Sequence, residues 1–230
     1  MRSPAELYDW ELAHVARDRA RRLDLPFYAE LAARTGGPVL ELACGTGRLT
    51  AHLSAVGLDI DPAMLAVARR RGVARLVCAD MRRFRLACRF GLVAVPYNSL
   101  QLLGSDEEIV ASLRVAAEHL APGGLLALEV GDFQAGATRD AVAPELLAEA
   151  DGVRLYGALV HDRAGRTTTY HRRFEQDGAA HVDHVRLRCL DRAELEGLFH
   201  QARLGLVEAR KDGHRLFAVG APEPARVSGG

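Results

Sequence analysis

The amino-acid sequence predicts an α/β fold, a doubly wound parallel sheet with an antiparallel β meander inserted into it. Three observations predict it. Between 39 and 130, short apolar runs alternate with helical segments, the cadence of β-α-β crossovers. The first of those runs leads directly into a glycine turn, Gly45 and Gly47, and then into a helix. Further on, three extended runs rich in Val, Thr, Tyr and Leu, at 153–160, 167–176 and 181–190, are separated by Asp162-Arg163-Ala164-Gly165 and Asp177-Gly178, which are turn sequences.

Taken in order, residues 2–33 read as helical, with Leu7, Trp10, Leu12 and Val15 roughly on one stripe and Pro26 as an interruption. The run 39–43 fits a buried strand, and the helix after the glycine turn includes Leu49 and Leu53. A second short strand, 55–58, ends in Asp59. Asp61-Pro62 is a helix start, an N-cap acceptor followed by a proline at the first helical position, and that helix runs to Arg71. Strands follow at 76–79 and 92–95, then a helix from 106 to 120 stopped by Ala121-Pro122-Gly123-Gly124, then a strand at 125–130. After the meander come a helix over 191–202 and a hairpin of 206–210 with 215–219 around Asp212-Gly213. The span 1–230 reads as one domain, with 1–35 as an N-terminal helical lid, 150–190 as the inserted meander and 221–230 as a frayed tail.

Composition narrows the function classes. Thirty basic and 30 acidic residues cancel, and 49% hydrophobic residues suffice for a buried core. The neutrality is local: 2–35 hold 6 basic and 6 acidic residues, 36–130 hold 10 and 9, 131–190 hold 8 and 9, and 191–230 hold 6 and 6. No whole segment is a basic arm, which weighs against a nucleic-acid partner. The Arg clusters at 17–22, 69–71, 82–85 and 172–173 then read as solvated faces. Lys211 is the only lysine, so a lysine nucleophile has one candidate. No run approaches the ~18–20 apolar residues that span a bilayer, and Arg2, Glu6 and Asp9 break any signal-peptide core, so the expected setting is the cytoplasm, without membrane. Cys44, Cys78, Cys88 and Cys189 show no C-x-x-C spacing, and His181 and His184 would point to opposite faces of a strand. No metal is expected.

The segment ELACGTGR, 41–48, places its glycines between a strand and a helix, where a side chain at Gly45 or Gly47 would keep the backbone from a bound nucleotide. Three acids mark successive strand ends: Glu41, Asp59 and Asp80, the last followed by Met81. A carboxylate at the second strand suits ribose hydroxyls, and one at the third can accept from an adenine amine. Tyr97-Asn98 stand at the end of the fourth strand, and the meander holds His161, His171, His181 and His184.

On these motifs, with VPYNSLQLL (95–103) and LAPGGLLALEV (120–130), the sequence resembles the class I S-adenosylmethionine (SAM) dependent methyltransferases over 25–222. The resemblance implies a Rossmann-like, seven-stranded sheet with an antiparallel last strand. It implies that the motif around Glu41, Ala43, Cys44, Gly45 and Gly47 surrounds the methionine part of SAM, that Asp59 binds the ribose, and that Asp80 and Met81 flank the adenine. Ile60, Met64 and Pro96 complete the cofactor set, and Tyr8 resembles an aromatic lid residue, as does Trp10, for which core packing is equally open. Three departures stand out. Ala43 replaces the first glycine of E-x-G-x-G-x-G, tolerable where the backbone does not require φ > 0. Only eleven residues separate Gly47 from Asp59, where dinucleotide folds use ~20, so Asp61 competes with Asp59, although a helix cap accounts for it. Phe90-Gly91 stands where relatives carry F-D.

The expected activity is methyl transfer from SAM to a small-molecule acceptor, nitrogen favoured over oxygen, because the layout resembles amino-sugar and glycine-type N-methyltransferases. Tyr97, Asn98 and His171 are the candidate catalytic residues. The alternatives are a tRNA or protein methyltransferase, or a SAM-binding module without catalysis; a homodimer is compatible with each.

Overall fold

The computed structural model describes residues 1–16, 24–131, 143–212 and 215–222. Helix α1 (Pro4–His14) starts with a capping box in which Ser3 and Glu6 satisfy each other's backbone N–H groups. Helix α2 (Leu25–Thr35) follows, with Asp24 as its cap and Pro26 in its first turn. Residues 17–23 lie outside the described residues. Then come β1 (Val39–Leu42), α3 (Arg48–Leu53), β2 (Val56–Asp59), α4 (Pro62–Arg70), β3 (Leu76–Cys78), β4 (Phe90–Val95), a 3-10 turn (Ser99–Leu102), α5 (Asp106–Glu118) and β5 (Leu120–Gly131). The remainder is β6 (Glu145–Ala150), β7 (Val153–Asp162), β8 (Thr167–Gln176), β9 (Ala179–Arg188), α6 (Arg192–Gln201), β10 (Leu204–Asp212) and β11 (Arg215–Pro222).

Seven strands form one sheet in the order β10-β11-β5-β4-β1-β2-β3. β1 to β5 run parallel, and β11 lies antiparallel between β10 and β5, the arrangement the resemblance implies. Apolar clusters cover both faces: Leu40, Leu42, Leu58, Leu113 and Phe199 on one, Phe27, Tyr28, Leu31, Val39 and Leu92 on the other. β4 starts two residues earlier than expected because Phe90 pairs with Leu120 ahead of a register shift at Ala121-Pro122-Gly123-Gly124. Gly91 has a packing role of its own, since a Cβ there would lie 1.8 Å from the Gly36 carbonyl oxygen. An aspartate cannot occupy this backbone position, which accounts for the missing F-D.

The meander is a separate four-stranded antiparallel sheet, β6-β7-β8-β9. Its first strand is a correction to the three-stranded expectation and moves the start of the sheet from 150 to Glu145. ELLAEA has the residues of a helix, but pairing with β7 overrides that propensity. Helix α1 packs on this second sheet through Leu7 and Trp10 against Val153, Leu155 and Phe174, all buried. Trp10 is therefore a packing residue. Ala221 and Pro222, expected in a tail, belong to β11; 223–230 lie outside the described residues.

Candidate active site

Between the carboxyl ends of β1 to β4, helix α1 and the second sheet lies a cavity of about 990 Å³. Ten of the residues singled out in the sequence line it: Tyr8, Ala43, Gly45, Asp59, Ile60, Met64, Asp80, Met81, Tyr97 and Asn98. Glu41, Cys44, Gly47, Pro96 and His171 are not among its lining residues.

The glycine turn is shaped by left-handed backbone at Ala43 (φ 53°), Gly45 (φ 54°) and Gly47 (φ 78°). The condition for a harmless Ala43 is thus not met, and the alanine carries the steric cost that glycine avoids. Ala43→Gly is expected to raise stability by about 1 kcal/mol, read as a higher urea midpoint with an unchanged slope. Gly45 faces the cavity, and a Cβ on it would touch the Tyr8 ring at 3.4 Å. Gly47 serves packing instead, because a Cβ there would sit 2.9 Å from Val73 and 3.0 Å from Ala68. Cys44 is buried beneath the turn, its thiol pushed up by that burial. Glu41 is also buried; it accepts a hydrogen bond from Thr50 Oγ1, and burial pushes its carboxyl up to about 8.

Asp59 ends β2 with one oxygen accepting from Gly45 N at 2.7 Å and the other from Asp61 N at 2.9 Å. Burial raises its carboxyl, and those backbone donors oppose the rise. Each oxygen keeps acceptor capacity toward the cavity. Asp61 caps α4 by accepting from Ala63 N at 2.8 Å. Beside them Ile60 is 64% exposed, an apolar side chain presented to the cavity rather than to the core. Asp80 takes four contacts from Arg82, through its backbone N, Nε and Nη2, and these hold its carboxyl below the usual range. Arg82 also reaches Glu108.

The opposite end is built from the β4 terminus and the second sheet. Tyr97 (φ 56°) and Asn98 (φ 63°) are consecutive non-glycine residues in left-handed backbone, a cost that the surrounding structure must hold in place. Gln101 does much of the holding: fully buried, it accepts from Gly131 N and donates to the carbonyls of Gly131 and Arg188, tying the turn to β5 and β9. Pro96 is buried under this turn, its carbonyl accepting from Ser99. Tyr170 and Arg172 project from β8 into the cavity, and strand alternation turns His171 to the opposite, exposed face, 6.1 Å from the His184 ring. His171 therefore does not reach the site.

Sequence reasoning missed Glu11, Tyr170 and Arg172. Glu11, 4% exposed, accepts from Tyr170 Oη at 3.0 Å and from Arg172 Nη1 at 2.7 Å, while Asp183 takes the other edge of the guanidinium at 2.8 and 2.9 Å. The i, i+2 spacing of Tyr170 and Arg172 in a strand is a local signal that they share a face; nothing local signals Glu11. Arg172 is correspondingly not on a solvated face. In the other described Arg clusters Arg70 pairs with Glu6, Arg71 with Asp9, and Arg82 as above. Asp9 also accepts from Thr46 Oγ1 at 2.7 Å, which fastens α1 to the glycine turn. Among the described residues no cluster of three or more His, Cys, Asp or Glu is arranged to hold a metal, and no helix is long and apolar enough to cross a membrane.

A methyltransferase domain family matches residues 39–124, which covers the glycine turn and the strand-end acids. The chain is 32% identical over 243 aligned positions to the dTDP-3-amino-3,4,6-trideoxy-alpha-D-glucopyranose N,N-dimethyltransferase of Streptomyces venezuelae, covering 95% of this chain and 97% of that one. Among solved structures, Streptomyces venezuelae DesVI superposes with a TM-score of 0.81 at 28% identity, over 96% of this chain and 99% of the other. SAM-bound CalS10, an amino pentose methyltransferase from Micromonospora echinaspora, superposes at 0.71 with 28% identity, over 89% and 94%. The chain belongs to the class I SAM-dependent methyltransferases. It is an enzyme that uses SAM to methylate a small-molecule acceptor.

Proposed function

We propose that the acceptor is the amino group of a deoxyamino sugar carried on a nucleotide, and that the product is the N-methylated sugar. The end-to-end similarity to a dTDP-3-amino sugar N,N-dimethyltransferase carries this reading. A cavity of about 990 Å³ is large enough for a nucleoside cofactor and a second sizeable ligand.

The residues at the β1 to β3 end fit SAM. In this reading Gly45 leaves room for the backbone to approach the methionine portion, Asp59 accepts from the ribose hydroxyls, and Ile60, Met64 and Met81 pack around the adenine with Asp80 at its edge. Tyr8 covers the turn from α1. Glu41, Cys44 and Gly47 act from beneath, by holding the turn's shape. SAM supplies a methyl group already activated on a sulfonium. The chain's own task is to orient a neutral amine in line and to exclude water, which Tyr97 and Asn98 do from the β4 end. No histidine base is needed, because an amine of moderate pKa loses its proton to water. The pairing of Arg70, Arg71, Arg82 and Arg172 with carboxylates supports a small acceptor over RNA.

Incubation with SAM and dTDP-3-amino-3,4,6-trideoxy-alpha-D-glucopyranose is expected to add one and then two methyl groups, followed by mass spectrometry. Methylation confined to a panel of phenols and alcohols, with none of the amino sugar, overturns the reading.

A further inference from the structure

Two carboxylates share one guanidinium at the acceptor end of the cavity. Arg172, with a side chain 10% exposed, is gripped by Glu11 and Asp183 and flanked by the rings of Tyr170 and Phe174 at 5.7 and 5.9 Å. His181 lies 3.7 Å from the Asp183 oxygen that accepts from Arg172 Nη2. Two carboxylates against one guanidinium leave one negative charge in excess. Asp183 is about a third exposed and shares its charge with water, whereas Glu11 is buried and lines the cavity. Of the carboxylates that line the cavity, only Glu11 and Asp59 are buried, and Asp59 stands at the glycine turn. A buried, incompletely neutralised carboxylate is costly unless a cation meets it. The contact of α1 with the second sheet is apolar at Leu7 and Trp10 and charged at Glu11, which holds that carboxylate at the cavity wall.

We infer that Glu11 is the counter-charge for the positive charge that forms on the acceptor nitrogen, oriented by Tyr170 and Arg172. This rests on the reading above that the acceptor is an amine. As the nitrogen lone pair forms the new N–C bond, the C–S bond breaks and its electron pair stays on sulfur. The positive charge thereby passes from sulfur to nitrogen, and the nitrogen keeps its own protons as a methylammonium. A fixed carboxylate on the acceptor side favours the transition state over the neutral amine that enters. Tyr170 and Arg172 each use one lone pair of Glu11, so its oxygens retain capacity for an N–H donor.

The test needs no acceptor. Sinefungin replaces the S-methyl of SAM by a carbon bearing an ammonium, which puts a fixed positive charge at the transferred group; S-adenosylhomocysteine has none. By calorimetric titration the wild type is expected to bind sinefungin at least tenfold more tightly than S-adenosylhomocysteine. In Glu11→Gln that preference is expected to fall about tenfold, the worth of one charge-assisted hydrogen bond, with S-adenosylhomocysteine affinity unchanged within twofold. Glu11→Asp, which keeps the charge, is expected to retain most of the preference. Should Glu11→Gln fold poorly, the double variant Glu11→Leu with Arg172→Leu removes the Glu11–Arg172 pair together, leaves Asp183, about a third exposed, to water, and carries the same comparison. Equal affinity of the two ligands for the wild type, or an equal loss of both in the variant, overturns the inference. Failure of the amino-sugar assay is separate, because it bears on the acceptor and leaves the sinefungin comparison intact.

Discussion

Asp59→Asn is expected to weaken SAM binding about a hundredfold, the largest loss from any single change at the cofactor end. The carboxylate spends one lone pair per oxygen on the backbone N–H groups of Gly45 and Asp61 and turns the rest toward the cavity. An amide there sets an NH2 group against one of those N–H groups, so the turn shifts or a buried donor goes unpaired. It also loses the charge that strengthens any bond from a ribose hydroxyl. A hydrogen bond to a charged group is worth about 1.5–3 kcal/mol, and two orders of magnitude in affinity correspond to about 2.7 kcal/mol. Titration with S-adenosylhomocysteine measures the loss. Asp61→Ala is the control: it removes the cap on α4 and is expected to cost about 1 kcal/mol of stability with little change in affinity. If instead Asp59→Asn binds normally and Asp61→Ala does not, the ribose contact belongs to Asp61 and the assignment at β2 is wrong.

That Asp59 and Asp61 can be separated at all follows from how far local sequence reaches. The Asp61-Pro62 cap, the alternation of apolar runs and helices, and the hairpin after α6 are written in residues adjacent in the chain, and the structure contains each of them. Gly47 was misread because what its missing side chain makes room for is Ala68 and Val73, on a different helix and the loop beyond it. The left-handed φ at Ala43 has no signal in the sequence, since alanine does not mark that conformation as glycine would. β6 was invisible because ELLAEA is chosen for its pairing with β7 and its local propensity points the other way. The acceptor side was the least legible part: Glu11 and Arg172 meet across 161 positions, and only the folding of α1 against the second sheet makes one site of them.

Glu41 gives the stability of this protein a pH dependence between acid and neutral conditions. Its carboxyl is buried under the glycine turn, with Thr50 Oγ1 as its hydrogen-bond donor, and burial moves it from 4.5 to about 8. Below pH 4.5 the folded and unfolded chains both hold the proton. Between 4.5 and about 8 the folded protein retains a proton that the unfolded chain has released, so unfolding is favoured as the pH rises and stability is lost through this window. At about 1.4 kcal/mol per pH unit, the whole loss is on the order of a few kcal/mol. Glu11 and Asp59, also raised by burial, add to it in the same direction. Asp80, held low by Arg82, acts oppositely and only at the acid end. Glu41→Gln keeps an acceptor for Thr50 and has no proton to lose. Its urea midpoint is expected to match the wild type near pH 5 and to exceed it at pH 8, flattening the profile without removing the slope left by Glu11 and Asp59. Parallel profiles for the two proteins would show that water or a rearranged Thr50 reaches Glu41 and that the buried acid is not the source.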